Sequence, residues 1–276
     1  MNRLAWLLLS ILFISSCCNE VPLEIPKFEL TDSKRNVLVE DLTGVRCKNC
    51  PDGAQTIKAM QALYPDRVIS IAIHAGFLSE PYTESKYDLR CEDGEKIESS
   101  WDYASKPAAA IDRVSFEPPD IPIAGYSSWQ SYVEEELSKE NIVNLEASVD
   151  FDTLTRTGSV LIYALPLIDM EGQFKFYAAL VENNIIDVQL LSDGTKDEEY
   201  EFESVLRDMI TSYDGSDISG NLTENEVVNK SYSFSIPESD GTWIPKNMKI
   251  VVFMTGTYEH GYETVMNTFE VNLLKE

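Results

Sequence analysis

The chain has 276 residues, a length that suggests two domains, and its 43% hydrophobic share is enough for packed cores. The formal net charge of -25 excludes nucleic acid as a partner, because phosphate binding needs a basic surface. An aromatic share of 10% also argues against intrinsic disorder. We interpret most of the acidic charge as a solvated, self-repelling surface.

The first residues have the pattern of a targeting segment. Arg3 supplies a positive charge, and an apolar run from Leu4 to Ile14 is too short to span a bilayer. Small residues then precede Cys17, which resembles a bacterial lipobox. This pattern predicts a signal peptide over residues 1–16, a lipid carried by Cys17, and a tether over residues 17–33. An ordinary signal peptide with a nearby cysteine is the alternative.

A CxxC motif, Cys47 and Cys50, follows a strand-like run from Arg35 to Leu42. Apolar residues at helical spacing come next and stop before Pro65, which predicts that the motif opens a helix. The positive end of a helix favours thiolate over thiol. We therefore predict an exposed attacking thiol at Cys47 and a buried resolving thiol at Cys50. A structural disulfide is the alternative.

A second buried strand over residues 68–73 completes a strand, helix, strand order, which predicts a βαβ unit with a parallel pair of strands. His74 ends this strand, on the same side of the sheet as the CxxC motif. Together with Cys47 and Cys50 it could form a metal site. The competing interpretation is a packed histidine at a strand end. A long connection, residues 75–100, follows.

The chain changes character near residue 140. A helix-like face before this point closes a predicted first domain, residues 34–140. Strand-length runs separated by turn residues then predict an antiparallel all-β sandwich over residues 141–276. The runs are Val143–Phe151, Gly158–Pro166, Phe174–Glu182, Ile185–Leu191, Tyr232–Ile236, Met248–Thr257 and Thr264–Leu274. Phe202–Met209 is compatible with a short helix or an irregular crossover.

These elements resemble two known groups of proteins. The order of strand, CxxC helix, strand and proline-initiated strand is similar to a thioredoxin-like domain. Nearly the whole mature chain resembles the outer membrane protein 28-related lipoprotein family of Gram-negative bacteria. The segments that carry the second resemblance are Val37–Gly44, Cys47–Gly53, Ile71–His74, Pro107 with Ile111–Arg113, Ala179–Ile186 and Val205–Arg207.

The resemblance to thioredoxins implies roles for residues around the motif. Asp41, six positions before Cys47, matches the buried acid that helps to deprotonate the resolving thiol. Pro107 matches a cis-proline whose preceding residue, here Lys106, hydrogen-bonds the backbone of a substrate. The alternatives are a solvent-facing carboxylate and an ordinary trans proline.

Two charged neighbours of these residues are secondary candidates. Glu40 is the other acid at this strand end, and alternation should turn only one of Glu40 and Asp41 inward. A solvent-facing position is the favoured interpretation of Glu40. Arg46 stands where thioredoxins usually have tryptophan, and its charge should lower the pKa of Cys47.

Together these features predict an outer-membrane lipoprotein that carries out thiol–disulfide exchange on exported or cell-envelope proteins. Cys18 is not Asp, which resembles an outer-membrane rather than an inner-membrane sorting signal. The lipid would be the membrane contact, and no cofactor is expected. One alternative is a non-catalytic binding or adhesion lipoprotein with a structural disulfide. Another is metal handling by Cys47, Cys50 and His74.

Overall fold

The computed structural model describes residues 34–116, 122–259 and 261–274. The predicted signal peptide, the tether and Cys17 lie outside these residues. The fold is β-rich, with strands far more abundant than helices. No helix in the described part of the chain is long and apolar enough to cross a membrane.

The elements of the first half alternate between strands and helices. They are strands β1 (Val37–Thr43), β2 (Val68–His74), β3 (Ala108–Ile111) and β4 (Ile123–Ala124), and helices α1 (Cys50–Leu63), α2 (Glu92–Ser100) and α3 (Trp129–Leu137). Helix α2 lies inside the connection over residues 75–100, for which the sequence indicated no helix.

The second half consists of strands joined mostly by turns. They are β5 (Val143–Asp152), β6 (Thr157–Pro166), β7 (Phe174–Glu182), β8 (Ile185–Leu190), β9 (Lys196–Phe202), β10 (Val205–Met209), β11 (Ser216–Ile218), β12 (Val228–Ser235), β13 (Met248–Gly256) and β14 (Thr264–Asn272). The seven predicted strand runs all contain strands, with bounds that differ by a few residues.

One sheet of nine strands joins the two halves. Eight strands follow the order β14-β13-β7-β10-β2-β1-β3-β4, and β11 pairs with β7. Strands β1 and β2 are parallel over their full length, with Val37 opposite Val68 and Thr43 opposite His74. The predicted boundary near residue 140 does not interrupt this sheet, and the division into two domains stays a prediction.

Strand β10 is the link between the halves. It pairs in parallel with β2 through Val205 and Ala72, and antiparallel with β7. The expectation of a helix or crossover over Phe202–Met209 is therefore wrong. The segment Val205–Met209 is mostly buried; β7 pairs with it from Val205 to Met209, and β2 pairs with it at Val205.

Hydrophobic cores lie on both faces of the large sheet. The three-stranded sheet β12-β6-β5 packs against β7 and β13 around residues such as Val160, Phe176 and Val252. Helices α1 and α3 cover the other end of the sheet through Ile57, Met60, Trp129 and others. The side chains of Val37 and Val39 point to this helical face, which is therefore also the face of Asp41.

Candidate functional site

A disulfide joins Cys47 and Cys50 at the start of α1, just beyond the carboxyl end of β1. Its sulfur atoms are 2.08 Å apart. Cys50 is the first residue of the helix, and Pro51 follows at a position where the missing N–H has no cost. The exposed fractions are only 4% for Cys47 and 2% for Cys50. The prediction of an exposed Cys47 is therefore wrong.

A hairpin from the second half of the chain covers the motif. It consists of β8 and β9, which pair antiparallel with each other. The backbone N–H of Leu190 donates to the carbonyl oxygen of Val45 at 2.9 Å, and Nε2 of Gln189 donates to the carbonyl oxygen of Cys47 at 3.1 Å. Val45 packs with Ile185 in a small hydrophobic cluster under the hairpin.

Further contacts hold this hairpin to the first half of the chain. The carboxylate of Asp187 accepts hydrogen bonds from the backbone N–H groups of Lys86 and Tyr87, at 2.8 to 3.1 Å. Lys196 lies 3.8 Å from the centre of the Tyr82 ring and forms an ion pair with Glu84. These contacts hold the β8–β9 hairpin firmly to the first half of the chain.

Sequence reasoning did not identify Gln189 or Asp187. Both are at most 2% exposed, although they carry polar groups. The signal in the sequence is that both polar residues interrupt an otherwise apolar strand. A polar side chain that is buried in such a strand needs a hydrogen-bond partner. The partners of both residues in the first half of the chain lie 100 to 142 residues away, so no local pattern could have paired them.

The side chain of Arg46 is held by the segment that follows β2. Its guanidinium donates to the carbonyl oxygens of Glu80 and Pro81 at 2.6 and 2.7 Å and lies over the ring of Tyr82. The expected effect of Arg46 on the pKa of the Cys47 thiol stays a prediction. The other cation of the motif, Lys48, is exposed.

Asp41 is buried on the helical face of β1, with an exposed fraction of 2%. Its Oδ1 atom has no hydrogen-bond partner. Burial raises the pKa of Asp41 from 3.8 to about 7, although the charge of Lys106 opposes the change. A carboxyl group with this pKa can take up or release a proton near neutral pH. The solvent-facing alternative is wrong for Asp41.

Lys106 and Pro107 precede β3, and the peptide bond between them is cis. Pro107 packs against the first turn of α1, where a Cβ atom on Gly53 would lie only 3.1 Å from it. The side chain of Lys106 is 3% exposed and turns inward. Only its backbone remains for the predicted contact with a substrate, which stays a prediction.

Glu40 lies on the opposite face of β1 from Asp41. Its two carboxylate oxygens accept hydrogen bonds from Arg113 at 2.7 and 2.8 Å. Arg113 also lies over the rings of Tyr177 and Phe253. Alternation does separate the two acids, but both faces of the strand are covered, so the expectation of a solvent-facing Glu40 is wrong. The ion pair with Arg113 holds the side chain of Glu40 in the core.

His74 lies at the carboxyl end of β2 and is 3% exposed. Its ring makes an edge contact with Phe202, at 5.4 Å between ring centres. Burial and the nearby charge of Lys106 lower the pKa of His74 to about 3, so the imidazole is neutral. No group of three His, Cys, Asp or Glu side chains in the described residues is placed to hold a metal ion. The geometry thus gives the metal interpretation no support.

Cys91 is a free thiol that caps the start of α2. Its sulfur accepts a hydrogen bond from the backbone N–H of Gly94 at 3.3 Å. Burial raises the pKa of the Cys91 thiol to about 11. This environment makes Cys91 a poor nucleophile.

Fold and site together define a β-rich protein with a buried CxxC disulfide beneath a hairpin. The model of the family "Outer membrane protein Omp28" matches residues 95–273, and the chain belongs to this family. The predicted family is thus confirmed. The matched residues begin after Cys47 and Cys50, so membership carries no information about the disulfide. The family name suggests an outer membrane location.

Solved structures show a similar fold. The chain is similar to HBP35 of Porphyromonas gingivalis, with a TM-score of 0.67 and 14% identity over 87% of this chain and 76% of that one. It is also similar to protein AGR_C_4864 from Agrobacterium tumefaciens, with a TM-score of 0.52 and 11% identity over 89% and 97% of the two chains. No curated protein matches the chain.

Proposed function

We propose that this protein is an outer-membrane lipoprotein whose residues 34–140 form a thioredoxin-like domain that exchanges disulfides with exported or cell-envelope proteins. The observation that carries the proposal is the presence of a CxxC disulfide at the start of α1 together with the buried carboxyl of Asp41 on the face of β1 that the helices cover. The cis bond before Pro107 and the parallel strands β1 and β2 support the same domain type.

The chemistry needs no further component. A thiolate of the partner attacks one sulfur of the Cys47–Cys50 disulfide, a mixed disulfide forms, and the other cysteine leaves as a thiolate. The second thiolate of the partner then breaks the mixed disulfide, so the partner is oxidised and both cysteines are reduced. The reverse sequence reduces a partner disulfide. The carboxyl group of Asp41 donates a proton to the leaving cysteine thiolate, and in the reverse direction its carboxylate accepts the proton of the attacking cysteine thiol.

The anchor is part of the proposal. Cys17 carries the lipid, and residues 17–33 hold the folded part away from the membrane. Metabolic labelling with palmitate tests this step: label should appear in the full chain and disappear in Cys17→Ala. Label that persists in the variant would contradict the anchor and leave the exchange chemistry untouched.

Insulin reduction and the reduction potential of the Cys47–Cys50 pair test the exchange function. With dithiothreitol as the reductant that regenerates the dithiol, we expect turnover of insulin by the intact protein above the uncatalysed rate, none in Cys47→Ser, and full turnover in the matched control Cys91→Ser. The potential should lie between roughly -270 and -120 mV, the range of exchange proteins. Absence of turnover in the intact protein would contradict the function.

A structural disulfide in a binding lipoprotein is the second candidate. The observation that favours it is the low exposure of Cys47, 4%, beneath an anchored hairpin. This candidate function predicts a reduction potential of the Cys47–Cys50 pair below about -300 mV, as for structural disulfides. It also predicts that Cys47→Ser lowers stability without loss of any activity.

A further inference from the structure

The ammonium group of Lys106 joins three chain segments beneath the CxxC loop. Its Nζ atom donates to the carbonyl oxygens of Thr43 at 3.0 Å and Ala75 at 2.5 Å, and it lies 3.1 Å from Oε1 of Glu98. These partners stand at the end of β1, just after β2 and near the end of α2. Three acceptors match the three N–H groups of an ammonium.

Several charged or titratable groups surround this ammonium. Glu98 and Glu95 approach from α2, where Glu98 also accepts a hydrogen bond from the Tyr103 hydroxyl. Asp41 approaches from β1, and His74 from β2. On the hairpin, Tyr200 has a pKa raised first by its burial and then by the charge of Asp41. No cation other than Lys106 acts on Asp41 among the described residues.

We propose that Lys106 is a positioning residue of the disulfide site, which fixes the ends of β1 and β2 beneath the CxxC loop and balances the charge of Asp41. This inference rests on the proposed exchange function. It departs from the sequence prediction, which assigned Lys106 to the substrate, because the side chain is 3% exposed and directed into the protein.

The role of Lys106 follows from how few partners Asp41 has among the described residues. Asp41 is buried with Oδ1 unpaired, so the charge of Lys106 is what favours its ionised form. Without that charge the pKa of Asp41 rises above 7, and the carboxylate is formed only in more alkaline solution. The carbonyl oxygen of Ala75 would lose the Lys106 donor, and that of Thr43 would keep only the Ser79 hydroxyl, which loosens the strand ends next to the motif.

The test compares Lys106→Met with Lys106→Arg in the full chain. Methionine keeps the aliphatic stem without the charge, whereas arginine keeps the charge. The exposed lysine of α1, Lys58, gives the matched control Lys58→Met. Two readouts are measured from pH 5 to 9: the rate of insulin reduction, and the carboxyl ¹³C chemical shift of Asp41.

The midpoint of both profiles should move up by about one pH unit or more in Lys106→Met. It should return toward the wild-type value in Lys106→Arg and stay in place in Lys58→Met. An unchanged midpoint in a folded Lys106→Met would overturn the inference. If the wild type does not reduce insulin, the proposed function fails, and the Asp41 titration alone still decides the role of Lys106.

Glu98→Gln gives a second variant in case Lys106→Met does not fold. It removes the anion next to the ammonium and leaves Lys106 in place. The Asp41 titration should then move toward lower pH, because the positive charge of Lys106 is less compensated. A titration that does not move would count against Lys106 as the balancing charge.

Discussion

Nε2 of Gln189 donates a hydrogen bond to the carbonyl oxygen of Cys47 at 3.1 Å, although the two residues are 142 positions apart. The same nitrogen donates to the carbonyl oxygen of Leu190 at 2.8 Å. Gln189 is 2% exposed, so water has little access to replace these bonds. The second half of the chain thus contributes directly to the loop that carries the disulfide.

Gln189→Leu should destabilise the protein and speed up reduction of the disulfide. Leucine keeps a similar size but removes the side-chain donor and leaves the carbonyl oxygen of Cys47 with only the backbone N–H of Cys50, at 3.2 Å. Loss of one such hydrogen bond costs about 0.5–1.5 kcal/mol. The free energy of unfolding in urea measures the first effect, and the rate of reduction by dithiothreitol the second. Gln173→Leu, at an exposed position, is the matched control. Equal behaviour of the two variants would show that the Gln189 contact is dispensable.

Asp41→Asn should change how stability depends on pH. The folded pKa of Asp41 is about 7, above its ordinary 3.8, so the folded state binds this proton more tightly than the unfolded state. Asp41 therefore contributes stability below about pH 4 that is lost as the pH rises through 7. The loss is at most about 4 kcal/mol. Above pH 7 the asparagine variant should be the more stable protein.

Urea unfolding of the wild type and Asp41→Asn between pH 4 and 8 measures this dependence. Asp150→Asn, which removes an exposed carboxylate from β5, shows the effect of losing one surface charge. If the stability difference between wild type and Asp41→Asn stays constant over this range, the carboxyl of Asp41 does not titrate as its burial implies.

Local patterns were sufficient for the elements that lie close together along the chain. The apolar runs before and after the CxxC motif predicted β1 and β2, and helical spacing predicted α1 between them. The parallel pairing of Val37 with Val68 follows from this order, because a helix connects the strands. The burial of Asp41 was implied by the resemblance to thioredoxins, whereas the local pattern left a solvent-facing carboxylate open.

Long-range pairing is what the sequence could not reveal. Val205–Met209 is too short and too mixed in polarity to indicate a strand, and it becomes one because β2 and β7 offer it partners on both sides. The prediction that Cys47 is exposed was wrong for a related reason. The hairpin that buries it lies far along the chain, and its strand β9 is rich in charged residues, typical of a solvated turn region.

Arg113→Met should strongly destabilise the fold. Arg113 forms two hydrogen bonds with the buried Glu40, and its loss leaves that carboxylate without a partner, which costs about 3–5 kcal/mol. Arg90→Met is a suitable control, because the ion pair of Arg90 with Asp88 is partly exposed and contributes about 0–1 kcal/mol. Urea unfolding of both variants measures the difference. Similar losses would mean that Glu40 relaxes to another partner.

Cys91 should react slowly with iodoacetamide in the folded protein. Its pKa of about 11 leaves few thiolates at pH 8, and only the thiolate is alkylated, so the rate should fall about 100-fold below that of an ordinary thiol. Peptide mapping by mass spectrometry resolves Cys91 from the other cysteines. The same peptide in guanidinium chloride provides the unfolded reference. Labelling at the unfolded rate would show an accessible thiol, which could then act as a second resolving cysteine for the Cys47–Cys50 pair.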